Sequence, residues 1–161
     1  MTNKGILLLC CAITLTACGL FKSKTPPIPP EPTIVALEFE ADEDINPDDQ
    51  GRPSPLVIRV YQLKYYDAFK DADYNALIEN DTKALGNELI DKREIFLKPG
   101  QKFTELLKDV SDDVRSIGFM GRFRDQSAQW QAGSGIKKNK TTVIKVRVSG
   151  TTITSQLQVN Q

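Results

Sequence analysis

A four-residue motif, Leu15-Thr16-Ala17-Cys18, ends a short apolar run near the N-terminus and decides which part of the chain folds. Lys4 precedes this run, and the apolar stretch from Gly5 to Ile13 is shorter than the roughly 20 residues of a membrane-spanning helix. A basic start, an apolar centre and small residues before a cysteine are typical of a cleaved bacterial lipoprotein signal. The motif therefore predicts that residues 1–17 are removed and that the Cys18 thiol carries lipid.

Acyl chains on Cys18 would hold the mature chain to a lipid bilayer, because each buried methylene contributes about 0.8 kcal/mol and two or more chains anchor stably. A plain secretory signal with a chance cysteine is the alternative. The next residue, Gly19, bears on the destination. In enterobacteria-like sorting an aspartate there retains a lipoprotein in the inner membrane, so Gly19 favours the outer membrane, with the chain facing the periplasm.

A proline-rich segment separates the cysteine from the folded part. The fourteen residues from Gly19 to Pro32 include five prolines, which exclude regular helix or sheet and favour an extended tether. At about 3.1 Å per residue this tether would reach roughly 40 Å. We therefore divide the chain into a signal peptide (1–17), a lipidated cysteine with its tether (18–32) and one folded domain (33–161).

Composition excludes several classes of function. Lys4 is the only charged residue of the signal, so the mature chain keeps 20 of the 21 basic residues and all 21 acidic ones. A near-neutral chain argues against a nucleic-acid partner, which requires clustered positive charge. The chain has no histidine, which excludes Ser-His and Cys-His nucleophile pairs and His-ligated metal sites. We expect no enzyme activity, no cofactor and no metal.

Alternating apolar residues predict seven or so short strands and one helical segment in the domain. The predicted strands are 33–40, 56–64, 89–98, 102–107, 115–124, 141–148 and 151–159, and the predicted helical segment is 66–85. Residues 125–140 are polar and glycine-rich and are expected to form a loop, with Trp130 as its one large anchor. Short strands separated by turn residues predict a mainly all-β fold, a two-sheet β-sandwich.

The acidic loop that follows the first predicted strand is the one cluster of polar residues with a candidate function. Asp44, Asn46 and Asp48 match the first three ligand positions of a calcium loop. The sixth position requires glycine and is Asp49, and the twelfth requires glutamate and is a proline. The calcium pattern therefore fails, which leaves a protein-binding loop or a solvated loop without a partner.

We expect protein binding, because Ile45 and Pro47 would place apolar side chains at the tip of a long charged loop. The candidate partner-binding residues are Asp44, Ile45, Asn46, Pro47, Asp48, Asp49 and Gln50. On this interpretation, deleting the segment from Asp44 to Gln50 spares folding and weakens binding. Trp130 offers a second possibility, a periplasmic module that stacks on glycan or peptidoglycan, although an aromatic anchor in the core is the more frequent role.

A series of motifs spans most of the mature chain. They are Asn46-Pro47-Asp48, Gly51-Arg52-Pro53-Ser54-Pro55, Val57-Ile58-Arg59-Val60-Tyr61-Gln62-Leu63, Ala72-Asp73-Tyr74, Leu97-Lys98-Pro99-Gly100, Arg122-Phe123-Arg124 and Trp130. In this order and spacing the chain resembles the TssJ family, the outer-membrane lipoproteins of the bacterial type VI secretion system. The predicted lipid-bearing cysteine agrees with this resemblance.

The resemblance implies a transthyretin-like sandwich with an extra helical insertion and a role without catalysis. Members of the family tie the outer membrane to the periplasmic domain of TssM, an inner-membrane protein, in a complex that also contains TssL. In the family the loop between the first two strands takes part in that contact, and here it maps to Ala41–Pro55. A transthyretin-like hydrolase is the enzymatic alternative, but such sites use histidines, which this chain lacks.

Overall fold

A computed structural model of the protein describes residues 29–108, 110–125 and 129–158. The predicted signal peptide, Cys18, Gly19 and most of the tether lie outside these residues. None of the helices in the described ranges combines the length and the apolar character that crossing a bilayer requires.

Eight strands in the described residues build two four-stranded sheets. The strands are β1 (Ile34–Ala41), β2 (Leu56–Leu63), β3 (Leu89–Leu97), β4 (Lys102–Leu107), β5 (Ser116–Gly121), β6 (Gln131–Gly135), β7 (Thr141–Ser149) and β8 (Thr152–Gln158). Two α-helices, α1 (Asp67–Lys70) and α2 (Tyr74–Leu85), and a 3-10 helix (Gly86–Glu88) lie between β2 and β3.

The first sheet has the order β4-β1-β7-β8, and the second has the order β3-β2-β5-β6. The neighbours β1 and β7 run parallel, and every other pair of neighbours is antiparallel. Alternate residues of β1, namely Val35, Leu37 and Phe39, point into the core between the sheets. Phe39 stacks there on Phe103 of β4, with ring centroids 5.1 Å apart. The prediction of a two-sheet β-sandwich is confirmed.

Strand β2 is buried on both faces, which explains its almost continuous apolar sequence. One face, with Ile58 and Val60, belongs to the core between the sheets. The other face, with Tyr61 and Leu63, lies under the helical insertion and packs against Phe69 of α1. The insertion therefore covers the outer face of the second sheet and forms a second apolar cluster there. Its buried members are Tyr61, Leu63, Phe69, Tyr74, Leu77, Leu85 and Met120.

Strand β6 is the main difference from the expected fold, because residues 125–140 were expected to be a loop. The segment pairs antiparallel with β5 from Gln131 to Gly135. Its glycines hide the strand from pattern analysis, since they carry no apolar side chains that could alternate. Gly133 has a packing reason to be glycine, because a β-carbon there would collide with the ring of Tyr66.

Helix α2 consists of two pieces joined at a kink. The Asp73 carboxylate caps its start by accepting a hydrogen bond from the Ala76 amide at 3.0 Å. At Asn80 the backbone leaves the helical region, with φ −159° and ψ 82°. The Asn80 side chain then accepts a hydrogen bond from the Lys83 amide at 2.9 Å, which caps the second piece in the same way. The kink turns the next residue, Asp81, toward the sheet.

Asp81 joins the insertion to the strands beneath it, and its side chain is only 6% exposed. Its carboxylate lies 2.6 Å from Lys92 Nζ and 3.5 Å from the Arg59 guanidinium, and the Tyr61 hydroxyl donates to it at 3.4 Å. Burial alone would raise the pKa of Asp81. The hydrogen bond from Lys92 and the charges of Lys92 and Arg59 outweigh burial and lower this pKa. Burial raises the pKa of Tyr61 to about 12.

Replacing Asp81 by asparagine tests this link. We expect Asp81→Asn to reduce the free energy of unfolding by about 2 kcal/mol at neutral pH, because the charge-assisted bond to Lys92 is lost. A carboxylate whose pKa is lowered by folding stabilises above its ordinary value of 3.8 and loses this effect as the pH falls through the folded value. Urea unfolding should therefore show the two proteins converging below pH 3.8.

The matched control is Asp71→Asn, a change to an exposed carboxylate beside α1 for which the structure shows no ion pair in the described residues. Asp71→Asn should leave the free energy of unfolding unchanged both at neutral pH and below pH 3.8. A constant gap between the Asp81→Asn variant and the original protein across this range would refute the role of the Asp81 charge.

Candidate partner-binding loop

The loop of residues 42–55 joins β1 of one sheet to β2 of the other and closes one end of the sandwich. It is held by contacts with the neighbouring connections at that end. The Asp42 carbonyl accepts from the Gly100 amide in the β3–β4 turn at 3.0 Å, and the Asp44 carboxylate accepts from the Gly150 amide in the β7–β8 turn at 3.3 Å. The loop is therefore packed against the neighbouring turns of the sandwich.

Asn46 fixes the conformation of the loop. Its backbone amide donates to the Gly150 carbonyl at 2.8 Å, and its side-chain amide donates to the Pro55 carbonyl at 2.9 Å. Its side-chain oxygen accepts from the Arg124 amide at 2.9 Å. The residue is only 5% exposed and has a φ of +49°, a left-handed conformation that asparagine tolerates better than most residues. Through its backbone amide and its side chain, this one residue is bonded to Gly150, Pro55 and Arg124.

Ile45 does not lie at the exposed tip of the loop, so that expectation is wrong. Its side chain is 0% exposed and belongs to the core between the sheets. The physical reason is that the open end of the sandwich needs an apolar plug, and the turn at Asn46 directs the preceding side chain inward. The prediction that deleting Asp44 to Gln50 spares folding stays untested, but the structure argues against it, because the deletion would remove the buried Ile45 and Asn46.

Asp48 organises the tight turn that follows. Its carboxylate accepts from the amides of Gln50 and Arg52 at 2.9 Å each and from the Arg52 Nε at 2.8 Å. These bonds lower the pKa of Asp48, the bond from the Arg52 backbone most of all. The oxygens that a calcium loop would use therefore serve internal hydrogen bonds at Asp44, Asn46 and Asp48. In the described residues no group of acidic, histidine or cysteine side chains could hold a metal ion.

A polar rim remains exposed once these internal contacts are made. We define the loop rim by the exposed residues Glu43, Asp44, Asp49, Gln50, Arg52 and Pro53; Gly51 and Pro55 are exposed beside them. This set contains three carboxylates and one arginine, so the rim is mainly acidic. Its shape is set from below by Ile45 and Asn46, which makes it a preformed surface suited to contact with another protein.

The structure divides the seven predicted binding residues into three groups. Asp44, Asp49 and Gln50 are exposed on the loop rim, Pro47 and Asp48 are half-buried, and Ile45 and Asn46 are buried. The predicted lipid-bearing Cys18 lies outside the described residues. The sequence patterns did not point to Glu43, Arg52 and Pro53 as rim residues, although Gly51 and Pro53, on either side of Arg52, were visible as chain breakers.

Trp130 lies where the two apolar clusters meet. It is half-buried, packs against both clusters, and meets the ring of Tyr74 edge-on with centroids 5.2 Å apart. The interpretation of Trp130 as an anchor is therefore confirmed. Its ring joins the helical insertion to the second sheet, so it does not form an open platform of the kind that stacks on sugars.

Several solved structures are similar to this chain. TssJ1 from Pseudomonas aeruginosa is 28% identical with a TM-score of 0.75, and the match covers 81% of this chain and 99% of that one. Lip from Serratia marcescens, described as a membrane-bound component of the type VI secretion system, is 23% identical with a TM-score of 0.66, covering 78% and 97%. This second likeness shows the shared fold alone.

A third match is a chain in the structure described as the C-terminal domain of the type VI secretion protein TssM from EAEC. It is 28% identical with a TM-score of 0.63, and the match covers 77% of this chain and 99% of that one. No curated protein sequence matches the chain.

The chain matches the family of type VI secretion lipoproteins that includes VasD, EvfM and TssJ over residues 33–151. It belongs to this family, and the resemblance seen in the sequence is confirmed. The matched region starts at the first residue of the predicted domain and includes the whole loop rim.

Replacing Asn46 tests whether this residue holds the loop. We expect Asn46→Ala to reduce the free energy of unfolding by about 3 kcal/mol, because two partners lose their bonds and alanine disfavours a positive φ. Asn139 is the matched control, since it has a φ of +56° and its side chain makes no hydrogen bond to a described residue. Asn139→Ala should cost only about 1 kcal/mol.

Chemical denaturation measures both variants, and Asn46→Gly separates the side-chain bonds from the backbone conformation. Glycine makes neither bond but tolerates a positive φ, so its loss should be smaller than that of Asn46→Ala. Equal losses for Asn46→Ala and Asn139→Ala would show that only the backbone conformation matters and that the bonds from Asn46 do not hold the loop.

Proposed function

We propose that this protein is an outer-membrane lipoprotein that holds the periplasmic domain of TssM within the trans-envelope complex of the type VI secretion system, a complex that also contains TssL. Acyl chains on Cys18 attach one end of the chain to the membrane. The residues of the loop rim contact the partner at the other end. No catalysis takes part in this function.

The observation that carries this proposal is the position of the loop rim. Strand β1 begins beside Thr33, where the tether enters, and ends at Ala41, where the loop begins. Its eight residues separate the two ends by roughly 25 Å at about 3.3 Å per residue. The rim therefore lies on the end of the sandwich away from the tether, the end that would face a partner across the periplasm.

The rim suits a protein partner because the conformation of its loop is already fixed. Binding does not carry the entropy cost of ordering this loop, because Asn46 and Ile45 already hold it in the unbound chain. The similar chain in the TssM structure supports TssM as the partner. A glycan-binding role receives no such support, because Trp130 is engaged with Tyr74 inside the fold.

The predicted anchor is tested by replacing Cys18 with serine, which cannot form the thioether. We expect the Cys18→Ser protein to fold, to move from the membrane fraction to the soluble periplasmic fraction, and to stop type VI secretion. Cell fractionation and a secretion assay measure these effects. Cys11→Ser is the matched control and should change neither, because Cys11 leaves with the signal. A Cys18→Ser protein that stays membrane-bound and secretes would refute the anchor.

The loop rim is tested by reversing its charge without touching the residues beneath it. We expect the double change Asp49→Arg with Gln50→Ala to weaken binding to the purified TssM periplasmic domain by about tenfold, or about 1.4 kcal/mol. Calorimetry measures the affinity, and a thermal melt confirms the fold. Asp113→Arg makes the same charge change at the opposite end and should leave the affinity intact; equal effects of both would move the interface away from the rim.

A further inference from the structure

A cleft of about 330 Å³ opens at the end of the sandwich opposite the loop rim. It lies where β2 has ended and β5 begins, close to the start of α1. Its lining residues are Tyr65, Tyr66, Asp67, Arg115, Ser116, Gly133, Ser134 and Gly135. This volume is at the lower end of the range of about 300–1,000 Å³ found for ligand pockets, so its occupant would be small.

The floor of this tether-end cleft is formed by the paired strands β5 and β6, where Ser116 lies opposite Gly135. Gly133 and Gly135 carry no side chains that would fill the cleft from its floor. The Tyr66 ring lies directly over Gly133, where any side chain would collide with it. Tyr65, in contrast, is 59% exposed at the mouth of the cleft, although it is one of the large aromatic residues. An exposed ring and a half-buried ring thus line one small cavity.

The cleft contains polar groups that the fold does not use. The Ser116 residue is only 5% exposed, and its hydroxyl finds no hydrogen-bond partner among the described residues. The Arg115 guanidinium donates only to the backbone carbonyls of Asp112 and Val114, at 2.6 and 3.0 Å. Neither Arg115 nor Asp67 forms an ion pair with any described side chain. Most buried polar groups in folded proteins are satisfied, so the Ser116 hydroxyl is a donor that a ligand in the cleft could use, beside the exposed charges of Arg115 and Asp67.

We propose that the tether-end cleft binds a phosphoethanolamine group, the zwitterionic headgroup of phosphatidylethanolamine. The Arg115 guanidinium and the Ser116 hydroxyl would donate to the phosphate. The Asp67 carboxylate would accept from the ammonium, and the tyrosine rings would attract the same cation. The ligand thus presents one charge of each sign to a cleft that carries one of each.

Other small ligands match this cleft less well. A simple phosphate would leave the Asp67 carboxylate without a partner and would be repelled by it. A neutral sugar would satisfy hydrogen bonds but would neutralise neither Asp67 nor Arg115. An apolar ligand would leave the Ser116 hydroxyl unsatisfied.

The position of the cleft favours a lipid as the source of this group. Thr33 is the first residue of the predicted domain. Its hydroxyl accepts a hydrogen bond from the Asn139 amide at 2.9 Å, at the same end of the sandwich as the cleft. The tether therefore leaves the domain beside the cleft. This part of the argument rests on the proposed lipid anchor at Cys18, which would place the cleft toward the bilayer.

Binding is tested in solution with the mature chain carrying Cys18→Ser, so that the result does not depend on the anchor. The probes are O-phosphoethanolamine, ethyl phosphate, which lacks the ammonium, and ethanolamine, which lacks the phosphate. Chemical shifts of backbone amides report binding. We expect O-phosphoethanolamine to bind at least about tenfold more tightly than either fragment, and to shift the amides of Ser116 and Gly135.

Two variants separate the two charges. Asp67→Asn should remove the advantage of O-phosphoethanolamine over ethyl phosphate, and Arg115→Gln should remove its advantage over ethanolamine. Asp71→Asn and Arg124→Gln are matched controls that lie outside the cleft lining and should retain both advantages. Equal binding of all three probes, no binding, or advantages that survive both cleft variants would overturn the proposal.

Vesicles distinguish the source of the headgroup. Co-flotation of the same chain with vesicles rich in phosphatidylethanolamine, lost with Asp67→Asn and absent with phosphatidylglycerol alone, supports the lipid. Binding to free O-phosphoethanolamine without co-flotation supports the cleft chemistry with a soluble ligand. Because TssM affinity is measured at the loop rim, failure of either proposal is visible independently of the other.

Discussion

The burial of β2 on both faces is the constraint on which the rest of the structure depends. One face completes the core between the sheets, and the other carries the helical insertion. Arg59 and Tyr61 of this strand also meet Asp81, which holds the kinked helix in place. The same strand links the two candidate sites, since the loop rim precedes Leu56 and the tether-end cleft follows Leu63. A rigid β2 therefore keeps the two surfaces at opposite ends.

Sequence patterns predicted the strands whose apolar and polar side chains alternate. They missed a glycine-rich strand and a buried loop residue, because alternation marks neither. Val35, Leu37 and Phe39 define β1 by their spacing, and β2 shows its two-sided burial as a continuous apolar run. Strand β6 carries Gly133 and Gly135 on one face, so its burial under Tyr66 is invisible in the sequence. Ile45 looked exposed because its neighbours are charged, whereas tertiary packing places it in the core.

The same distinction applies to the candidate sites. The position of the loop rim could be predicted, because prolines, a glycine and acidic residues mark a long connection between two strands. Which of its side chains face outward could not, since that depends on the bonds of Asn46 to Gly150, Pro55 and Arg124. The tether-end cleft is assembled from three separate segments, and no local pattern connects Asp67 with Arg115 or Gly133.

The place of β1 in its sheet has a mechanical consequence for the proposed link between two membranes. Tether and loop are the two continuations of this one strand, and β1 lies between β4 and β7. A pull between the two ends would load β1 along its own axis. Its hydrogen bonds to both neighbours lie across that axis and would share the force in shear, rather than opening one after another as in unzipping. The domain is thus built to resist extraction along the line on which it would be stretched.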